Sequence, residues 1–436
     1  LYFNILSLKS SKLVNFASFD DLFCNFVFMK HFIERKAYIE KLVAYQDKDF
    51  IKVITGLRRS GKSTLLELFR QKLYDSGVEV LNIQSINFEL PENYLNKTWD
   101  QIYFEIKQKL ILGKQNYVFL DEVQNIPFFE KLVDGLFATE NVDLYITGSN
   151  AFLLSSDLAT LLSGRYMEIS ILPFSFKEYL SARKIDTANV YLNYEALFFD
   201  FVNETSLPKG AELRDGGFDK IYEYLEVIHK TIIEKDITQR YQINDKRAFG
   251  NITKFVSTNI GNPLSPSNIS KSLIQDNQRI HHSTVEKYLD YLVSSFIFYR
   301  INRFDLKGKK QLATQEKYYL VDLGFLNVLA GRERNADRGH ILENVVFLEL
   351  LRRGYKIWTG AARNMEVDFV CKNTVGEIQY FQVAWEISNE NTLEREFRSL
   401  EAISDNYPKF LLTTDSFTQN RNGIVHLNVF NWLLNV

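Results

Sequence analysis

Gly56-Leu57-Arg58-Arg59-Ser60-Gly61-Lys62-Ser63-Thr64 spaces two glycines around four residues and follows them with a lysine and two hydroxyls. The string fits the pattern G-x-x-x-x-G-K-S, and each residue type in it has a use in holding a polyphosphate. Glycines at 56 and 61 let the backbone turn tightly enough to aim successive N–H groups at one anion. Lys62 supplies a mobile point charge for the β- and γ-phosphates, and the Ser63 hydroxyl can ligate Mg²⁺. Nucleotide contacts are therefore expected from Gly56, Arg58, Arg59, Ser60, Gly61, Lys62, Ser63 and Thr64. A second chemical pair, Asp121-Glu122, closes the apolar run Tyr117-Val118-Phe119-Leu120. A carboxylate at a strand tip beside such a loop can hold a Mg²⁺-bound water, the role expected of Asp121 alongside Ser63. Glu122, one residue on, is placed to polarise an attacking water as general base.

Elements to position these groups are legible around them. Phe50 to Thr55 is a short apolar run with β-branched residues, long enough for a buried strand. Beyond the loop Leu65, Leu66, Leu68, Phe69 and Leu73 recur at helical spacing, so the order is strand, glycine loop, helix. The helix N-terminus adds its positive dipole end to the anion site. Leu144-Tyr145-Ile146-Thr147 forms a further strand ending in Gly148-Ser149-Asn150. A guanine-reading Asn-Lys-x-Asp motif should follow the Asp121 strand. The one Asn-Lys pair, Asn96-Lys97, precedes it and lacks the aspartate, which favours ATP over GTP.

Bulk numbers exclude other classes. A chain of 436 residues with 46% apolar and 24% charged residues is that of a globular protein of two or three domains. Fifty-two basic against fifty-four acidic residues leave a net charge of -2, so nucleic-acid binding must come from a local patch. Cys24 and Cys371 fit no metal or disulfide spacing, which with the absence of a secretion signal points to the cytoplasm. No apolar run approaches the length that spans a bilayer. Residues 1–28 are rich in Phe, Leu, Asn and Ser, and translation is expected to start at Met29, leaving them extraneous. The alternative is a hydrophobic arm that packs on a partner.

Four motifs together carry a family resemblance: Gly56 to Thr64, Phe119-Leu120-Asp121-Glu122-Val123-Gln124, Thr147-Gly148-Ser149-Asn150, and Ser163-Gly164-Arg165 running on to Leu172-Pro173-Phe174-Ser175-Phe176-Lys177-Glu178-Tyr179. Residues 29–436 resemble a family of prokaryotic AAA+ ATPases whose core precedes a C-terminal domain of uncharacterised function. The resemblance implies an α/β fold with a P-loop AAA+ parallel sheet flanked by helices. It also implies a polar sensor at the tip of the inserted strand, Ser149 or Asn150, on the γ-phosphate or the lytic water. Arg165 matches the arginine that reaches a neighbouring subunit's nucleotide, which implies a homo-oligomer. Its other reading is a surface arginine capping a helix. The family often carries Gly-Gly-Phe-Pro beyond the core, where this chain has Gly216-Gly217-Phe218-Asp219.

Beyond the core, helices are expected from Tyr222 to Ile237, over Pro266 to Ile274, and from Ser283 with Tyr288, Leu289, Tyr291 and Leu292 on its apolar side. Two strands, Phe296 to Asn302 and Lys317 to Val321, come next, joined by Asp305 to Lys310. That order is the outline of a winged helix. Arg279, His281, His282 and Lys287, with Lys307, Lys309 and Lys310 of the wing, make a modest basic face for DNA. Farther on, a helical Glu343, a strand Asp368 and Gln382 on the next strand resemble the PD-(D/E)XK nuclease fold, a small α/β restriction-endonuclease-like domain. There Glu343 and Asp368 would hold Mg²⁺. Ala384 stands where that fold has a lysine, which points to a degenerate fold kept for binding, with Lys372 and Lys356 the nearest substitute cations.

The expected organisation is an extraneous segment 1–28, an AAA+ core 29–204, a helical lid and winged helix 205–332, and the nuclease-like domain 333–436. The expected function is ATP binding and hydrolysis, with Lys62, Glu122, Asn150 and Arg165 in catalysis, driving a switch or motor that acts on DNA. The alternatives are a low-turnover signalling or defence switch working through protein contacts, and an ATP-regulated nuclease.

Overall fold

A computed structural model describes residues 32–148, 164–189, 191–212, 217–275, 280–306, 310–331, 337–362, 365–387 and 390–435. The chain divides into two units after Glu34, and the second, Arg35–Val436, holds both sheets of the molecule. Strand β1 (Ile51–Gly56) feeds the glycine loop and the helix Lys62–Asp75; β2 (Ile83–Asn87), β3 (Asn116–Asp121), β4 (Val142–Thr147) and β5 (Tyr166–Ile171) complete a first sheet. Its order is β2-β3-β4-β1-β5 with every pairing parallel. Such a sheet must be covered on both faces, and the period of two in its strands sorts the side chains. Val53, Val118, Leu120 and Ile146 face the helices Trp99–Gln108 and Phe129–Phe137 through Ile106, Leu132 and Leu136. Ile54, Phe119, Tyr145 and Ile169 face the helices Lys36–Tyr45 and Lys62–Asp75 through Leu42, Leu65 and Phe69. Phe119 and Tyr145 stack at 4.7 Å between ring centres, with Phe69 against both.

Insertion of β4 between β1 and β3 has a functional consequence. The helix after β1 packs on one face and the helix Phe129–Phe137, which comes after β3, on the other. A crevice therefore opens at the C-terminal tips of β1, β4 and β3.

The rest of the chain begins with the helices Phe176–Ala182, Tyr194–Asn203 and Pro208–Glu212 and then a longer helix, Gly217–Thr231. That helix widens into a π-helical stretch, Ile232–Thr238. Helices Lys246–Thr258, Pro266–Gln275 and His282–Ser294 come next, then an antiparallel hairpin of β6 (Phe298–Asp305) and β7 (Lys310–Leu320). Both strands run further toward the turn than the sequence suggests. Alternation of apolar residues fades there, but backbone pairing continues from Arg303 and Leu312 to Asp305 and Lys310. An isolated bridge joins Leu264, between the first two of these helices, to Glu316 of β7.

The hairpin does not stand apart. β6 also pairs in parallel with β8 (Lys356–Ala362) at Arg303 to Asp305. β9 (Met365–Lys372), β10 (Ile378–Val383), β11 (Lys409–Thr413) and β12 (Ile424–Asn428) extend one mixed sheet ordered β12-β11-β10-β9-β8-β6-β7. One sheet thus runs across residue 332, where a domain boundary was expected. Polar contacts tie this half to the segment that follows β5. The carboxylate of Asp322 accepts bonds from Thr205 Oγ1, Ser206 N, Ser206 Oγ and Gly324 N. Arg352, at the end of the helix Arg338–Arg352, donates to the Pro173 carbonyl at 2.9 Å. Among the described residues no helix is long and apolar enough to cross a membrane.

Candidate functional site

The loop between β1 and the helix Lys62–Asp75 has the geometry its glycines imply. Gly56 has φ +141°, and a Cβ there would lie 2.3 Å from the Ile171 carbonyl oxygen of β5, so no side chain fits. Gly61 has φ +100° and caps the helix from outside. Arg35 braces the loop from behind: its guanidinium donates to the carbonyls of Ser60 (3.2 Å) and Leu172 (2.6 Å) and pairs with Glu178 at 2.9 Å. Lys62 is buried, with Nζ 3.2 Å from the Gly56 carbonyl, 3.4 Å from that of Leu57 and 3.7 Å from Glu122 Oε1. Ser63 and Arg59 are exposed, Thr64 half-buried and Ser60 buried.

The tips of β3 and β4 meet this loop. Thr147, the last residue of β4, donates its hydroxyl to Asp121 Oδ1 and accepts the Glu122 backbone N–H at 3.0 Å. Burial pushes the Asp121 carboxyl above its usual range, and hydrogen bonds from Thr147 and Ser63 pull it back. Ser63 of the loop and Asp121 of β3 therefore share one spot. A hydroxyl and a carboxylate oxygen side by side suit a hard divalent cation. Glu122 sits in the left-handed region at φ 56°, and its carboxylate accepts from the Gln124 amide. At the crevice mouth Arg58 pairs with Asp236 of the π-helical stretch, Nη2 to Oδ1 at 3.1 Å.

The residues expected from the sequence are thus largely brought together: the loop, Asp121 and Glu122 share one crevice. Ser149 and Asn150 lie outside the described residues. Arg165 is elsewhere. It precedes β5, its carbonyl accepts the Ile51 N–H at the start of β1, and its guanidinium pairs with Asp134 at 2.9 Å, both side chains exposed. One length of β1, about 17 Å, separates that edge from the loop, so Arg165 does not reach its own chain's site. Gly216 is outside the described residues and Gly217 opens a helix; the proline against the loop is Pro208, 3.6 Å from where a Gly61 Cβ would stand. Sequence reasoning missed Arg35, Thr147, Pro208 and Asp236. Thr147 alone had a local signal, as a hydroxyl at the tip of a buried strand.

Residues 48–180 match an AAA domain, and residues 218–336 match a domain of unknown function. A Haemophilus influenzae protein, described only as uncharacterized, is 38% identical over 413 residues, 93% of this chain and 99% of its own length. This chain belongs to that family, a family of P-loop AAA+ proteins. A Methanocaldococcus jannaschii relative, likewise uncharacterized, is 30% identical over 81% of this chain and 79% of its own. Among solved structures, a Walker-type ATPase of Pyrococcus abyssi aligns with 69% of this chain and 96% of its own at 17% identity and TM-score 0.47. The strand order β2-β3-β4-β1-β5 of this AAA+ chain is that of a P-loop AAA+ sheet.

A second cluster of the AAA+ chain lies in the seven-stranded sheet. Glu343 on the helix Arg338–Arg352, Asp368 on β9 and Gln382 on β10 line a cleft of about 990 Å³. The cation among them is neither Lys372, which is exposed, nor Lys356, but Lys317 of β7. Its Nζ lies 2.9 Å from Glu343, 2.6 Å from Glu366 and 3.9 Å from Asp368. Burial alone would lower the Lys317 pKa, but the carboxylates of Glu343, Asp368 and Glu366 outweigh it and raise it. Burial and Glu343 hold Asp368 well above the usual carboxylate range. Among the described residues no three His, Cys, Asp or Glu side chains are arranged to hold a metal. No spacing rule pointed to Lys317, because it reaches the cleft from a strand some fifty residues earlier.

Proposed function

We propose that this chain binds Mg-ATP in the crevice at the tips of β1, β3 and β4 and hydrolyses it, using nucleotide state to reposition the downstream modules. The observation that carries this is the meeting of Ser63, Asp121 and Thr147 with Lys62 and Glu122. Lys62 would bind the β- and γ-phosphates and the loop amides would orient them. Ser63 and Asp121 would hold Mg²⁺, which supplies charge neutralisation of the phosphates. Glu122 would take a proton from the attacking water. Titration of Mg-ATP by calorimetry, with phosphate release measured in parallel, is the test; no binding at millimolar nucleotide overturns it.

A low-turnover switch is the second reading, favoured by Gln124, which donates to the Glu122 carboxylate. That bond occupies a carboxylate oxygen that the attacking water would need. Stoichiometric nucleotide with negligible phosphate release would select it.

In the downstream half, the helices from Lys246 to Ser294 and the hairpin β6–β7 are read as a winged helix. The bridge Leu264–Glu316 supports this, since it ties the segment after the first helix to the hairpin. DNA contact would come from His281, His282 and Lys287, all exposed, with Lys310 at the start of β7. Arg279, Lys307 and Lys309 lie outside the described residues. The cleft around Asp368 is read as a degenerate nuclease-like site. Lys317 already compensates its carboxylates, and seven acidic residues against three arginines line it, a balance that repels polyphosphate. Incubation with DNA and RNA in Mg²⁺ or Mn²⁺ should give no cleavage. An AAA+ core over 29–204, a cytoplasmic location and a homo-oligomer complete the proposal.

A further inference from the structure

Arg58 of the glycine loop is held by an acid from outside the AAA domain. Its Nε lies 3.3 Å from Asp236 Oδ2 and its Nη2 3.1 Å from Oδ1, a two-pronged pairing that fixes the guanidinium plane. The side chains are 23% and 11% exposed, so the pair is less screened than a surface ion pair. Asp236 is 178 residues downstream, in the π-helical stretch Ile232–Thr238, where Ile232 and Ile237 are buried. A π turn takes in one more residue than an α turn and re-aims the side chains beyond it, which is why such turns gather at functional sites. Burial alone would lower the Arg58 pKa, but Asp236, Glu122 and Glu89 together raise it. Arg58 follows directly on Leu57, whose carbonyl, like that of Gly56, lies against Lys62 Nζ, so it belongs to the stretch of loop beside the lysine that would hold the β- and γ-phosphates.

Building on the ATPase reading, we infer that Arg58 is shared between Asp236 and the γ-phosphate of ATP, and that this exchange of partners transmits nucleotide state to the helix carrying Asp236. A terminal phosphate offers the guanidinium the same fork-matching oxygens as a carboxylate and more charge, so the two compete for one group. With ATP bound, Arg58 turns to the γ-phosphate and Asp236 loses its partner. After hydrolysis the leaving phosphate returns Arg58 to Asp236. Asp236 is a positioning residue, acting through Arg58. Because coupling is reciprocal, whatever weakens the Arg58–Asp236 pair must tighten ATP and leave ADP, which lacks a γ-phosphate, unmoved.

The experiment titrates the full chain with a non-hydrolysable ATP analogue and with ADP, both with Mg²⁺, by calorimetry. Asp236→Asn should bind the analogue about fivefold or more tighter, the lower end of measured site–site couplings, with ADP affinity unchanged. In an Arg58→Ala background the same substitution should have no effect on either nucleotide. Equal shifts for analogue and ADP, or no shift, would mean that the pair is only structural and would overturn the latch while leaving the ATPase reading intact. A parent protein that binds neither nucleotide overturns both. Should Asp236→Asn not fold, Asp236→Glu serves: moving the carboxylate by one methylene must change analogue affinity without changing that for ADP, and equal affinities again overturn the inference.

Discussion

Lys62 is the one loop cation whose ammonium group is tucked against the loop's own carbonyls and Glu122, poised on the line that the phosphates would take. Lys62→Ala should abolish Mg-ATP binding in a calorimetric titration, and unchanged affinity would remove the loop from the site. Glu122→Gln keeps the shape of the side chain but not the proton acceptor. It should bind ATP normally and release phosphate more slowly by about a hundredfold or more, the scale for losing a general base. Lys317 makes a contrasting case, a cation that neutralises three carboxylates instead of a ligand. Lys317→Met removes the cation beside Glu343 and Asp368, the two of the three that are largely shielded from water, which costs about 3–5 kcal/mol. The variant should melt at a lower temperature than the parent, and Mn²⁺ should recover part of the loss in the variant only. A melting temperature equal to the parent's would show that the carboxylates are neutral without the lysine.

At the scale of elements, the helix Gly217–Thr231 carries a titration built into its packing. His229 packs against Phe325 at 6.1 Å between ring centres, and its Nε2 is buried with no hydrogen-bond partner among the described residues. Burial lowers its pKa from 6.5 to about 4. The folded state therefore binds fewer protons than the unfolded state between those values. The stability His229 contributes is complete above pH 6.5 and is lost as pH falls toward 4. Between about pH 7.5 and 5 the loss is about 2 kcal/mol by linkage. Chemical denaturation of His229→Phe at the two pH values should show that much less acid sensitivity than the parent, and equal sensitivity would place the proton elsewhere. The hairpin β6–β7 carries a separate expectation. If it is the wing of a DNA-binding module, reversing Lys307, Lys309 and Lys310 to Glu should weaken duplex binding by the full-length protein and flatten its salt dependence. Binding that is absent even at low salt would leave the hairpin as a protein-contact element.

Three polar links join the second sheet and the helices before it to what precedes them: Asp322 to Thr205 and Ser206, Arg352 to the Pro173 carbonyl, and the half-buried pair of Asp236 with Arg58. The first two hold the halves together irrespective of ligand. The third touches the nucleotide loop through a charged side chain, so it is a link through which phosphate chemistry could move the downstream half. Arg165 belongs to this scale because it cannot serve its own site across the length of β1. If it serves a neighbour's, specific ATPase activity should rise with protein concentration. Arg165→Ala should bind ATP without turnover, and added Lys62→Ala protein, which retains Arg165, should restore part of it. Activity independent of concentration would return Arg165 to its pairing with Asp134.

What the sequence determined by itself is everything that depends on neighbours along the chain. The loop Gly56–Thr64, the acid pair Asp121-Glu122 and the helix after the loop are local patterns, since strand, turn and helix each impose a short period on residue type. The same holds for the helices before the hairpin. A parallel sheet with a strand inserted between β1 and β3 came with the family resemblance, not with any spacing, and the full order β2-β3-β4-β1-β5 came with the structure. Only the tertiary structure decided which distant side chains complete each site. Thr147 meets Asp121 because β4 inserts beside β3, and Arg35 reaches the loop through backbone carbonyls that no motif records. Lys317 reaches Glu343, Glu366 and Asp368 because β7 lies at one edge of the same sheet as β9. Asp236 finds Arg58 across 178 residues. A charged pair needs only that two side chains meet in space, and sequence periodicity carries no trace of where the chain folds back to make them meet.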